Sequence, residues 1–231
     1  MLSDSTILIS GGEDDEYNSN KLSSAYLLKL AFDEDHEDKT KIREIHYITS
    51  NVNAYPIAVS RSSSASCEGR SIICGGMDSN AYTSAVYEYD RGEWRPLPPL
   101  NKARRNADSC YYQKTLFVLG GLGNADNRLN DIEMLHLDTT TTASQWKTCK
   151  AILPVKLGWH CVTQFQKHII VTGGLVEGGS SKQVYQGTVS NEGNDVEWHE
   201  LPPMNAARQV HMAINYFDKY LVVMGLSLIH I

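Results

Sequence analysis

Positive charge is scarce in this chain: 21 basic residues stand against 27 acidic ones, a formal net charge of -6. Such a balance provides no overall field to gather nucleic acid or an anionic membrane surface. Long apolar runs are also missing. The first, residues 7–10, is too short for a membrane span or a signal core, and no basic segment precedes it, so neither is expected. The five cysteines, Cys67, Cys74, Cys110, Cys149 and Cys161, are odd in number and form no C-x-x-C pair. Reduced core thiols in the cytoplasm or nucleus are therefore expected, rather than a disulfide framework. No HExxH, P-loop, GxSxG or dinucleotide-binding pattern occurs, and no cofactor or metal site is expected.

What the chain does have is a repeat. A short apolar run ends in a glycine pair at ILISGG (7–12), SIICGG (71–76), LFVLGG (116–121) and IIVTGG (169–174), and a fifth run, YLVVMG (220–225), ends in one glycine. The first glycines, at 11, 75, 120, 173 and 225, are spaced by 64, 45, 53 and 52 residues. A second strand-like run follows each pair, at SAYLLKL (24–30), AVYEYD (85–90), IEMLHLD (132–138) and QVYQGTV (183–189). Next come Trp94, Trp146 and Trp198, trailed by LPP (97–99), LP (153–154) and LPP (201–203). Apolar and polar residues alternate in several of these runs, the period of two of a β-strand. Each period thus predicts four antiparallel strands, and such a small sheet buries both faces only when stacked between neighbours. The glycines are expected to adopt φ > 0 and to let bulky aromatics approach the backbone. Tyr87, Trp94, Trp146, Tyr185 and Trp198 are read as core.

This order of Gly-Gly, Tyr, Trp and Leu-Pro-Pro resembles kelch repeats, with EWRPLPPLNKARRNADSCYYQKTLFVLGG (93–121) and EWHELPPMNAARQVHMAINYFDKYLVVMG (197–225) most like the blades of BTB-Kelch adaptor proteins. The expected fold is all-β: an incomplete kelch β-propeller with three full four-stranded blades, near 60–100, 104–148 and 158–200, plus two partial ones. Residues 1–226 are expected to form it. The leading strands lack a first strand and the trailing pair lacks the last two, so a fragment is inferred. Residues 227–231 (SLIHI) resemble a non-native tail.

The resemblance implies a non-catalytic protein-interaction module, such as the substrate-recognition part of a ubiquitin ligase adaptor, binding a protein or peptide on one loop face. Counting about fourteen residues back from each first glycine gives Arg61, Asn106, Trp159 and His211, with Arg104, Arg105 and Arg208 nearby. The adjoining loops add Asp78, Ser79, Asn80 and Tyr82 from MDSNAYT (77–83), and Asn124, Asp126, Asn127 and Arg128 from LGNADNR (122–128). Arginine forks and short polar side chains suit a peptide-binding rim. The alternative is a carbohydrate-active kelch enzyme, an oxidase or sugar mutarotase. Cys110-Tyr111-Tyr112 with His160 or His211 supplies residue types for a copper radical site, but Cys110 and Tyr111 fall within a strand, where core roles are expected.

Overall fold

The computed structural model describes residues 4–10, 23–34, 42–79, 81–137, 145–190 and 193–227. Strands dominate, and among the described residues the one helical element is a 3-10 turn at Asn124–Asp126. Among the described residues no helix is long and apolar enough to cross a membrane. Three four-stranded antiparallel sheets follow one another along the chain. Sheet I runs Ser63–Cys67, Arg70–Cys74, Val86–Asp90, Glu93–Leu97; sheet II runs Asp108–Tyr112, Thr115–Leu119, Ile132–His136, Lys147–Thr148; sheet III runs Cys161–Phe165, His168–Thr172, Val184–Val189, Val196–Leu201. A three-stranded sheet of Asp4–Ser10, Ala25–Glu34 and Ile42–Asn51 precedes them, and a pair, Arg208–Tyr216 with Tyr220–Ser227, follows. Three full sheets with a partial one before and after them are thus what the repeat predicted, and a further short pair, Leu175–Val176 with Gly179–Ser180, lies in the loop after Gly174. The last strand runs to Ser227, while the remainder of the expected tail, residues 228–231, lies outside the described residues.

Innermost strands stand side by side, Ser63–Cys67 beside Asp108–Tyr112, that beside Cys161–Phe165, and that beside Arg208–Tyr216. Stacking explains why Thr115–Leu119 is buried at every position. Its alternate side chains serve two interfaces: Leu116 and Val118 pack toward sheet I, Phe117 and Leu119 toward sheet III. The outer strands of sheets I and III end at prolines, and Pro96 sits inside the edge strand of sheet I, where no ladder donor is lost. The final pair has one open face, on which Met212, Ile214, Tyr216, Tyr220, Val222 and Met224 are exposed.

Three of the glycine pairs do adopt left-handed backbone, with φ of 62 and 107 at Gly75 and Gly76, 57 and 93 at Gly120 and Gly121, and 56 and 98 at Gly173 and Gly174; the first pair, at 11–12, lies outside the described residues. What approaches them is different from the aromatics expected. A Cβ on Gly75 would lie 2.5 Å from the Arg104 carbonyl oxygen, one on Gly173 2.5 Å from that of Arg208, and one on Gly120 2.8 Å from that of Leu157. The same three carbonyls accept hydrogen bonds from Gly76, Gly121 and Gly174 at 2.8–2.9 Å. Each pair is therefore the hinge that ties one sheet to the chain entering the next. The aromatic that needs a missing side chain is Trp198, which lies 2.8 Å from the place a Gly187 Cβ would take.

The aromatics otherwise pack as expected. Trp146 and Tyr185 are buried, and Trp94 stacks edge-on against Tyr55 at 4.8 Å while donating to the Asn53 carbonyl. One repeat position is rebuilt in sheet II. Val59 packs with Tyr87 and Leu157 with Tyr185 in the flanking repeats, but the equivalent positions here are Arg104 and Glu133, 1 % and 0 % exposed. The Arg104 guanidinium donates to Glu133 at 2.5 Å, to Asp131 at 3.1 Å and to the Gly120 carbonyl at 2.8 Å. Glu133 accepts further bonds from the backbone N–H groups of Asn101 and Lys102, so the buried carboxylate is saturated.

Candidate functional site

The chain makes one tight left-handed step just before the inner strands of sheets I, II and III and near the start of Arg208–Tyr216. Arg61, Asn106, Trp159 and Val210 have φ of 58, 50, 54 and 52. They join head to tail through the backbone: Asn106 N–H donates to the Arg61 carbonyl at 2.8 Å, Trp159 to Asn106 at 2.9 Å and Val210 to Trp159 at 3.0 Å. These bonds draw an arc at the loop end of the inner strands. Counting from the sequence identified three of its members and missed the fourth, naming His211. The cause lies at the far end of the last hairpin, whose turn holds Phe217, Asp218 and Lys219 between paired Tyr216 and Tyr220, whereas the equivalent turns hold two residues. One extra residue shifts the count by one.

His211 instead shares the next position with His160, one step deeper, and its Nε2 lies 2.8 Å from the Thr172 hydroxyl. Burial pulls the His160 imidazole down to about 3, with His211 a second cause, and His211 down to about 4. Both are uncharged at neutral pH. Because each binds a proton more readily unfolded than folded, stability falls as pH drops below about 6.5 and continues falling toward the folded values. Asp108, pushed up to about 6 by burial, acts in the opposite sense over the lower part of that window. For His160 alone the expected loss between pH 7 and 4.5 is roughly 2–3 kcal/mol. His160→Gln should flatten the pH dependence of urea denaturation over this range, and an unchanged slope would reject the assignment.

The loops after the glycine pairs reach the same end, since Ser60, Arg105 and Gly158 bridge to Met77, Leu122 and Leu175. One cluster is fully assembled there. The Arg105 guanidinium lies 5.0 Å from the Tyr82 ring centroid and 2.6 Å from Asp126, and the Tyr82 hydroxyl donates to the same carboxylate. These hydrogen bonds, the Tyr82 one foremost, hold the Asp126 carboxyl below its usual range, while its presence raises the Tyr82 hydroxyl. Cation, ring and anion thus form one patch joining the loops of sheets I and II, with Asp126 exposed and Arg105 and Tyr82 half-buried.

The remaining predicted residues divide. Asn106 is buried in the arc, Trp159 half-buried and Arg61 exposed. Ser79 is exposed, Asp78 caps its own loop by accepting from Ala81 N–H, and Asn80 lies outside the described residues. Asn127 donates to the Asn124 carbonyl, closing the second loop, and Arg128 follows at its foot. Two arginines bond to a backbone carbonyl of their own hairpin, Arg104 buried and Arg208 half-buried. Arg104 is enclosed by its carboxylates, and Arg208, its counterpart in the last pair, donates to the Gly225 carbonyl as Arg104 does to Gly120. Sequence counting could not separate these from Arg105, their neighbour on the chain. As for a copper radical site, Cys110 and Tyr111 point to opposite faces of their strand, the first toward sheet III and the second toward sheet I, where its hydroxyl donates to Glu68. Among the described residues no group of three or more His, Cys, Asp or Glu side chains could hold a metal ion.

Residues 58–101, which span sheet I, match the family model of the kelch motif. The solved structure of YjhT superposes with a TM-score of 0.63 at 14% identity, covering 89% of this chain and 68% of that one. The fold is a kelch-repeat β-propeller. An F-box/kelch-repeat protein of Arabidopsis thaliana is 29% identical over 69 residues, 29% of this chain. The matched stretch covers 15% of that relative's length. In propeller terms, the arc is the mouth around which the blades are set, and the Tyr82–Arg105–Asp126 cluster sits on the rim between two blades.

Proposed function

We propose that this propeller is a non-catalytic interaction module that docks a protein or peptide on the end carrying the Arg61–Val210 arc and the Tyr82–Arg105–Asp126 cluster, in the role of a substrate-recognition part of a ubiquitin ligase adaptor. The observation that carries the reading is the cluster itself. It offers an oriented guanidinium, an aromatic face and a carboxylate on paired loops, the residue types that anchor protein interfaces. Its charges are locked by one another, Asp126 held low and Arg105 held high, which suits recognition and leaves no group poised to exchange a proton near neutrality. The histidines with shifted titration lie deeper, beneath the arc. The F-box/kelch-repeat relative supports the adaptor role, and Trp159 and Arg61 extend the same surface.

The test is a photo-crosslinker at Ser79 on this end against one at Gln166 in a turn at the other end. A partner captured from Ser79 alone, and lost with Arg105→Ala at an unchanged melting temperature, is expected. Equal capture from Gln166, or retention by the Arg105 variant, would reject this end.

A further inference from the structure

The repeats provide an internal reference for each loop position, and at one groove two of them depart together. Between sheets II and III, on the loop end, a cavity of about 880 Å³ is lined by Lys102, Asn127, Arg128, Lys156, Ser181 and Tyr185, with apolar walls from Leu129, Val155 and Val176. Arg128 precedes Leu129, whose N–H donates to the Gly121 carbonyl. Thr83 and Ser181 make the same bond to Gly76 and Gly174, so the repeat's other residues at the Arg128 place are Tyr82 and Ser180. Lys156 precedes Leu157, and its counterparts, preceding Arg104 and Arg208, are Ala103 and Ala207. Two cations therefore appear in one groove where the neighbouring repeats carry none.

Both Arg128 and Lys156 also lack an ion-pair partner among the described residues, whereas Arg70, Lys102, Arg104 and Arg105 are each held by a carboxylate. The Arg128 Nε is buried with no acceptor, a desolvated donor that an anion would satisfy. Of the two acidic residues on the lining, Asp131 is taken by Lys102 and Arg104, and Glu177 is exposed. The Ser181 hydroxyl accepts from Gln183 N–H and keeps its own proton to donate. Such a set, guanidinium fork, ammonium and hydroxyl in a partly desolvated trough, is what a carboxylate or phosphate requires.

We propose that this groove is an anion-binding subsite that holds a carboxylate or phosphate group of a ligand. The site goes beyond the docking reading, because a free anion would occupy it with no protein partner present. The probes are inorganic phosphate and citrate, titrated into the full chain at low ionic strength and followed by amide chemical shifts. Saturable shifts at Arg128, Lys156 and Ser181 are expected, and whichever probe binds more tightly identifies phosphate or carboxylate as the source. Arg128→Ser and Lys156→Ala install residues the repeat carries at these places, so the fold should persist; each is expected to weaken binding about tenfold. Absence of saturation, or unchanged affinity in both variants, would overturn the subsite. Arg105→Ala leaves the groove intact, so lost partner capture with normal phosphate binding, or the converse, tells failure of one reading from failure of the other.

Discussion

Arg104→Leu is expected to lower the stability of the propeller by about 3–5 kcal/mol, the consequence of leaving a buried carboxylate without its cation. Glu133 would keep two backbone donors, from Asn101 and Lys102, and Asp131 would keep the Lys102 ammonium, but no charge would remain beside Glu133 in its enclosed site. The flanking repeats show the remedy, because they fill these positions with an aliphatic residue and a tyrosine, Val59 with Tyr87 and Leu157 with Tyr185. The double variant Arg104→Leu with Glu133→Tyr should recover most of the loss, since an ion pair and a well-packed apolar pair are near equivalents whereas half a pair is not. Urea denaturation of wild type, single and double variants measures both effects. A single variant within about 1 kcal/mol of wild type, or a double variant no better than the single, would contradict the network's structural role.

Gly75→Ala is the second large effect. Its Cβ would lie 2.5 Å from the Arg104 carbonyl oxygen, and the backbone is left-handed at φ 62, so steric overlap adds to conformational strain. That oxygen belongs to the backbone and cannot swing away as the end of a flexible side chain could. Relief requires moving sheet I from the chain entering sheet II, which lengthens the 2.8 Å bond from Gly76 N–H to that carbonyl. The expected cost is roughly 3 kcal/mol, combining the left-handed penalty with overpacking. Gly69→Ala serves as the comparison: it also has positive φ, 80, but nothing lies within 4 Å of its Cβ, so only the conformational part should appear. If the two variants melt together, the hinge role of the glycine pair is wrong.

These two positions mark the division between what the chain writes plainly and what it conceals. The strands, their order and the three full blades follow from local features that recur: a glycine pair after an apolar run, alternation in the next run, a tryptophan and a proline stop. Repetition averages out the ambiguity of any single short segment, so the propeller is legible without coordinates. The purpose of the glycines is less so. Positive φ can be inferred from glycine itself, but that a carbonyl from the next blade, and not an aromatic ring, fills the space depends on how sheets stack.

The rim was read in outline and revised in detail. Arg104 and Arg105 are adjacent in sequence and chemically identical, yet one is sealed among carboxylates from a strand some thirty positions away and the other lies over Tyr82 on the surface. No local property distinguishes them, because the distinction is made by residues that arrive from other strands. His211 was misplaced by one residue for a similar reason, a longer turn at the far end of its hairpin. Sequence by itself determined the repeat, the blade and the end of the molecule where loops gather, since each rests on patterns within one period. Tertiary structure alone decided which cations are neutralised, which at the groove between sheets II and III make no ion pair among the described residues, and which backbone atoms close the arc, since burial and pairing belong to contacts between periods.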